Sequence, residues 1–352
     1  MSVQRGLVLL NLGTPDSPEP KDVGRYLREF LMDKWVVDIP WLARWALVNL
    51  AIVPRRKVAS AHAYAQVWTE RGSPLRFHSE DLVSAVRHEC GEEFKVAYGM
   101  RYGNPSTRLA LEALADCDQI VAIPLYPQYA ESSSRSSIEE TAAQAKLLGI
   151  QSKVVFIKSF YDDAGFIRCS AQAAREALAR EPVPPDYFLF SFHGLPEAHV
   201  RSTDRSLGHV HCLATSGCCD QIVDANRDCY RAQCFATARS LAKELKLQDG
   251  KWSVSFQSRL GRRPWIKPYT DFVYKDLAAA GVRRIFAFCP SFVADCLETL
   301  EEIRIRGDEE FRAAGGESLS SVDCLNARPD WAKTVLEMAR SALTPIAHGA
   351  QI

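Results

Sequence analysis

A chain of 352 residues is long enough for two domains of ordinary size, and 47% hydrophobic with 24% charged residues fits a packed globular protein rather than a disordered or fibrous one. Lys plus Arg equals Asp plus Glu, 43 against 43, so there is no global basic field to draw nucleic acid. No heptad run, solenoid period or low-complexity tract interrupts the sequence.

Met1–Gly6 runs straight into an apolar strand and lacks the charged region, long apolar core and small-residue cleavage site of a signal peptide. The expectation is a cytoplasmic protein. Leu7–Leu12 reads as a buried strand. Trp35–Val53 (WVVDIPWLARWALVNLAIV) is unusually apolar, but Asp38, Pro40 and Arg44 make it a poor spanning helix. Pro54-Arg55-Arg56-Lys57 follows. Three Trp beside a basic cluster suit a surface that dips into a bilayer interface; a buried core helix is the alternative.

Further strands are expected at Phe94–Tyr98, Gln119–Ile123 and Val154–Ile157. A second series comprises Tyr187–Phe192, Ser253–Phe256, Arg284–Phe288 and Ser321–Leu325. Helical patterns separate them at Ile138–Leu147, Phe166–Ala179 and Phe235–Leu245. Strand, helix, strand at this spacing implies an α/β protein with parallel sheets covered on both faces. Four strands and then four more suggest two similar halves, 1–165 and 166–328, with the join near Glu181-Pro-Val-Pro-Pro185 or in the helix just before it. A last helix, Pro329–Leu343, is expected to pack back on the first half. In such folds ligands bind beyond the carboxyl ends of the strands, which selects the loops that matter.

The loop Asn11–Ser17 carries no G-x-G-x-x-G, and no Walker sequence occurs, so nucleotide binding has no support. His193 stands where a buried strand gives way to Gly194-Leu195-Pro196, a position at a strand's carboxyl end. Cys289–Glu302 follows another strand. A helix from Val293 would place Asp295, Glu298 and Glu302 on one face, with Leu297 and Leu300 elsewhere as anchors. An acidic face is ordinarily just solvated, but Glu298 sits beside apolar Phe292 and Val293 at a cleft mouth. Phe256–Pro268 combines aromatic residues with several cations, which suits a flat anionic organic ligand. Arg56, Tyr64 and Ser73 follow the apolar segment, and Arg101 and Tyr102 follow the second strand. Of eleven cysteines, those from Cys212 to Cys234 crowd together, and in a reducing compartment that points to metal before disulfides.

These residues together resemble the ferrochelatase family along nearly the whole chain. The segments are LVLLNLGTPDSP, VWTERGSPL, YGMRYGNPS, PLYPQY, FSFHGLPE, FQSRLGRRPWIKPYTD and CPSFVADCLETLEEI, in the family's order. The resemblance implies two Rossmann-like, chelatase-type domains, each a four-stranded parallel sheet flanked by helices, facing each other across a porphyrin cleft. It implies an enzyme that inserts ferrous iron into protoporphyrin IX to form protohaem, the last step of haem synthesis. His193 and Glu298 carry over as the catalytic pair and as brief iron ligands. Leu12, Tyr64, Arg101, Tyr102 and Trp265 carry over as substrate-binding residues. Some relatives have histidine where this chain has Cys296.

Iron cannot enter a porphyrin until two inner N–H protons leave, so the enzyme needs a base, a path for protons or metal, and a pocket that favours a bent ring. An imidazole at His193 can accept a proton at neutral pH. Glu298, Asp295 and Glu302 would form the acidic path. Trp265 and the apolar lip (35–54) would grip the ring faces, and Arg56, Ser73 and Arg263 would meet propionates. The lip predicts peripheral contact with the inner face of the cytoplasmic membrane. An insert at 203–234 holds Cys212, Cys218, Cys219 and Cys229, with Cys234 as a substitute. The resemblance points to a [2Fe–2S] cluster there; a structural zinc, helped by His209 or His211, is the rival. Competing functions are a chelatase for cobalt or coproporphyrin, and a haem carrier or iron–sulfur sensor without catalysis. The sequence is silent on oligomeric state.

Overall fold

The structure, a computed structural model, describes residues 3–259, 261 and 263–344. Two four-stranded sheets dominate it, and every strand pair is parallel. The first contains β1 (Arg5–Gly13), β2 (Phe94–Tyr102), β3 (Gln119–Pro124) and β4 (Val154–Phe156) in the order β2-β1-β3-β4. The second contains β5 (Tyr187–His193), β6 (Trp252–Gln257), β7 (Arg284–Phe288) and β8 (Ser318–Ser321) in the order β6-β5-β7-β8. The second sheet thus repeats the topology of the first, and the two-sheet α/β architecture read from the sequence is the one the chain adopts.

The central strands are continuous apolar runs because helices cover both faces of each sheet. Leu7, Val8, Leu9 and Leu10 of β1 are all fully buried, as are Leu189, Phe190 and Phe192 of β5. One expected strand is displaced. The edge strand β8 spans Ser318–Ser321, not Ser321–Leu325. Beyond Ser321 the chain leaves the ladder: Val322 and Leu325 enter the core as loop residues, and the Cys324 N–H donates to Asp295.

In each sheet the chain passes from the first strand to one neighbour and then crosses to the other side. The crevice of such a sheet opens over the carboxyl end of its first strand. In the first sheet this end is closed tightly. Gly13 has φ 114° and pairs with Tyr102, and a Cβ there would lie 1.8 Å from the Tyr102 carbonyl oxygen, so only glycine fits. In the second sheet it is open: His193 pairs with Gln257 at the rim.

The two halves share one hydrophobic core. Leu7, Leu9, Val121 and Ile123 belong to the same cluster as Phe190, Phe192, Val254 and Phe256. The helix Pro329–Leu343 bridges them, packing on the helices Pro74–Cys90 and Ala164–Leu178. Its Trp331 is fully buried against Phe160 and Phe166, and truncating it to Ala costs about 3–5 kcal/mol. Gln128 adds a polar clasp, donating to the Thr237 hydroxyl at 3.0 Å and the Pro290 carbonyl at 3.2 Å.

The apolar segment forms one helical run, Trp41–Ala46, then a π-helical stretch Leu47–Ile52, then Val53–Val67. It is inside out in part. Trp41, Leu42 and Leu50 are 59%, 74% and 67% exposed, while Arg44 is buried and donates to the Val37 carbonyl. Val48 and Val53 anchor the run on Leu31. No helix among the described residues is long and apolar enough to cross a membrane.

Candidate functional site

A cleft of about 680 Å³ lies between the halves, within the ~300–1,000 Å³ of small-molecule sites. The first half contributes an apolar wall that includes Leu27, Phe30, Val36 and Ile52, with Arg56 and Ser60 at its edge. The second half contributes His193, Trp265, Gln257, Ser258, Glu298, Glu301 and Glu302.

His193 ends β5, and its half-buried ring meets Phe292 edge-on at 6.5 Å. Its Nδ1 lies 2.6 Å from the Gly194 carbonyl oxygen. A carbonyl can only accept, so the neutral ring carries its proton on Nδ1 and keeps a bare lone pair on Nε2. Gly194 is tight for the same local reason: its N–H donates to the Gln257 carbonyl at 2.8 Å, and a Cβ would collide with that oxygen and with Trp265. Trp265 bridges Pro196 in a short antiparallel contact, which fixes the indole beside the histidine. Leu260 and Arg262 of this loop lie outside the described residues.

Glu298 opens a π-helical segment, Glu298–Ile305, that follows β7. The histidine and the glutamate therefore rise from β5 and β7, the strands that flank the switch point of the second sheet. The Glu298 carboxylate accepts from the buried Cys296 thiol; burial and that carboxylate both push the thiol up, so it stays protonated. Gln257 Nε2 donates to the Glu298 carbonyl at 2.9 Å and ties the segment to β6. Glu302 accepts from the Ser258 N–H at 2.7 Å and from its hydroxyl. Arg306 holds Glu301 at 3.1 Å and stands 3.9 Å from Glu302. The result is a line of carboxylates along one wall, continued by Glu310 and Asp271.

The expected helix from Val293 does not form. Helical turns begin only at Leu297, so Asp295 precedes them. Asp295 is buried away from the cleft, where it accepts from Thr299 at 2.9 Å and Asn326 at 2.7 Å and steadies the start of the π segment. Leu297, expected as an anchor elsewhere, lines the cleft.

The residues expected from the first half divide in two. Arg56 lines the cleft. Leu12 and Tyr64 stand one layer back, packed with Leu297. Burial and the nearby Glu298 raise the Tyr64 phenol, so it remains a hydrogen-bond donor. Ser73, Arg101 and Tyr102 are not on the wall. Ser73 is buried against the Thr14 hydroxyl at 2.7 Å. Arg101 donates to Asp33 at 2.7 Å and to Ser136 at 2.7 Å, and the Tyr102 hydroxyl donates to Asp33 at 2.8 Å. Burial works against the Asp33 charge, but Ser136, the Trp35 N–H, Tyr102 and Arg101 together hold its carboxyl below the ordinary range. Asp33, Gln257, Ser258 and Glu301 were not singled out from the sequence. Gln257 and Ser258 could have been, since they end a strand as His193 does; Asp33 had no local signal.

In the insert, Cys212, Cys218, Cys219, Cys229 and Cys234 are all buried. The Cys218 and Cys219 sulfurs lie 3.7 Å apart, and Cys229 contacts both Cys212 and Cys219. Contact with Cys212 pushes the Cys229 thiol up to about 12, so any metal must displace a proton there. The Arg231 guanidinium donates to Cys219 Sγ at 3.1 Å. Cys234 lies a turn into the helix Tyr230–Glu244, next to Tyr230. His209 and His211 both turn a ring nitrogen to a backbone carbonyl, those of Asp204 and Cys218. Among the described residues, no three His, Cys, Asp or Glu side chains are drawn together closely enough to hold one metal ion.

The ferrochelatase family profile matches residues 4–343. A ferrochelatase of Legionella pneumophila (strain Paris) is 44% identical over 335 residues, covering 95% of this chain and 98% of the relative. One of Bdellovibrio bacteriovorus is 43% identical, covering 96% and 99%. Among solved structures, SirB of Bacillus subtilis, determined with Fe3+, superposes with a TM-score of 0.51 at 10% identity, covering 96% of this chain and 95% of that one. At that identity the likeness speaks for the fold alone. The matched length and identity place this chain in the ferrochelatase family.

Proposed function

We propose that this enzyme inserts ferrous iron, as substrate, into protoporphyrin IX to give protohaem. The observation that carries the reading is that His193 and Glu298 line one cleft from the two strands flanking a switch point, opposite an apolar wall of the other half. The flat ring enters between that wall and Trp265. His193 Nε2, the nitrogen left free by the Gly194 contact, accepts a pyrrole proton. Glu298 takes up the charge on the same side, and Glu302, held by two donors from Ser258, continues the path outward. Two protons leave as one Fe²⁺ enters, so charge balances at the ring centre.

The test is anaerobic conversion of protoporphyrin to haem with ferrous iron. His193→Ala and Glu298→Ala should each lose about 10²–10⁴-fold in rate. Wild-type rates near those of either variant would overturn the reading. Faster turnover with cobalt, or with coproporphyrin or sirohydrochlorin in place of protoporphyrin, would redirect it to a different chelatase. Porphyrin binding without insertion would make the protein a carrier.

The cysteine insert is proposed to hold a [2Fe–2S] cluster through Cys212, Cys218, Cys219 and Cys229. The sulfurs run as a chain of contacts, Cys218–Cys219–Cys229–Cys212; a two-iron cluster spreads its ligands over two centres, whereas zinc needs all of them about one point. Protein purified anaerobically should contain about two cluster irons and visible absorption bleached by dithionite. Colourless protein containing zinc would reverse the choice. The outward face of Trp41, Leu42 and Leu50, followed by basic Arg55 and Arg56, supports peripheral contact with an anionic bilayer. Leu42→Asp should reduce sedimentation with anionic vesicles; unchanged sedimentation would remove this role.

A further inference from the structure

The cysteine insert and the loop that carries Trp265 meet at one side chain. Arg231 lies in the first turn of the helix Tyr230–Glu244, two residues after Cys229. Its half-buried guanidinium has a partner on each edge. Nη1 donates to Cys219 Sγ at 3.1 Å. Nε and Nη2 fork onto the Lys267 carbonyl, both at 3.3 Å. Its Cζ sits over the Phe235 ring, 4.6 Å from the centre, which stiffens the side chain. Lys267 is two residues beyond Trp265. The chain on either side of it is fixed to the second half: the Ile266 N–H donates to the Leu195 carbonyl at 2.9 Å, and the Phe256 N–H to the Pro268 carbonyl at 2.8 Å. The Lys267 carbonyl between them answers to the insert.

The placement of this cation needs a negative partner. A cation in the first turn opposes the helix dipole, and among the described residues no carboxylate pairs with Arg231. A second guanidinium, that of Arg239, donates to the Cys219 carbonyl at 3.1 Å. Two cations therefore bear on Cys219. A neutral thiol is a weak acceptor, whereas a thiolate bound to metal accepts a charge-assisted bond about twice as strong as a neutral one. The pull on Arg231 depends on what the Cys219 sulfur carries.

We propose that Arg231 is a positioning residue that couples metal loading of the cysteine insert to the porphyrin cleft. A metal-bound thiolate at Cys219 draws one edge of the guanidinium fast. The other edge then holds the Lys267 carbonyl, and with it the Trp265 indole. When Cys219 is a neutral thiol the hold slackens. The proposal rests on the reading of the insert as a metal site and gives that site a task in ring binding. No electron moves in this coupling, so zinc and a [2Fe–2S] cluster would act through it alike.

The test follows amide exchange at Trp265, Ile266 and Lys267 in the full-length protein without porphyrin. One sample is stripped of metal with a chelator, and the other is reloaded anaerobically with ferrous iron and sulfide. Loading should slow exchange at these amides about tenfold in the wild type. Arg231→Leu removes both edges, so exchange should be as fast loaded as stripped. Arg231→Lys keeps a cation beside the sulfurs but reaches one acceptor at a time. It should retain the metal and lose most of the response, which covers the case of Arg231→Leu loading poorly. Protoporphyrin affinity, read by fluorescence, should rise about three- to tenfold on loading in the wild type and stay flat in both variants. Amides that slow on loading in the variants as they do in the wild type overturn the role of Arg231. Wild-type protein that loads metal with no change at these amides overturns the coupling and leaves the metal site standing. Wild-type protein that takes up no metal removes both.

Discussion

The two halves repeat one topology but treat the polar groups at their strand ends in opposite ways. In the first half, Thr14, Ser73, Asp33, Arg101, Tyr102 and Ser136 bond to one another and face inward. In the second, His193, Glu298 and Glu302 are held from behind by Gly194, Gln257 and Ser258, and the cleft receives their free sides. The same architectural position serves as a scaffold in one copy and as a reaction surface in the other. Memorable motifs exist in both, so a motif's prominence does not tell which role it plays; the partner that satisfies it does.

That contrast can be broken by substitution. The largest effect on activity should come from His193→Phe, which keeps the ring contact with Phe292 but removes the proton acceptor: insertion falls about 10²–10⁴-fold while the melting temperature moves by only a few degrees. The mirror experiment is Asp33→Ala. It leaves the largely buried Arg101 without its carboxylate, and urea unfolding should show a loss of about 3–5 kcal/mol, while the folded enzyme still turns over. If Asp33→Ala instead abolishes turnover with stability intact, the first half is not merely a scaffold.

Smaller effects should sharpen the picture around the insert. Cys219→Ser should strip visible absorption and cluster iron, since Cys219 touches both Cys218 and Cys229. The gentlest perturbation is acid. Burial opposes the charge of Asp204, but N–H groups of Cys212, Ser206 and His211 outweigh it and bring its pKa to about 2. A depressed folded-state pKa stabilises above the unfolded value, near ~3.9, and that stabilisation is lost as pH falls toward the folded value. Amide exchange at Cys212 should therefore stay slow down to about pH 4 and quicken below it, and Asp204→Asn should abolish that dependence.

The class of fold was legible because doubly covered parallel strands leave unbroken apolar runs such as Leu7–Leu10 and Tyr187–Phe190. The edge strand β8, with the sequence Ser-Leu-Ser-Ser, offers no such run, and the apolar residues after it drew the expected boundary too far along. At the site, His193, Glu298, Glu302, Arg56 and Trp265 could be found from strand ends and loop composition. Asp295 was misplaced because a 3.6-residue period was applied to a segment that is not yet helical there. The Asp33–Arg101 pair joins positions 68 apart, and Ser136 reaches Asp33 across 103; nothing local encodes such pairings.

Among the described residues, each of three π-helical stretches puts a side chain on the cleft wall: Ile52, Ser132 and Glu298. A π turn holds one more residue than an ordinary helical turn, and such turns gather at functional sites. Length is therefore as much a part of the Glu298–Ile305 segment as its composition. Removal of a single residue there, Leu300 for instance, would let the chain close into a regular helix and swing every later side chain by about 100°. Glu302 would then point away from the histidine although no acidic residue had been lost. Along this wall the register of the backbone, counted in whole residues, determines which carboxylates meet the ring.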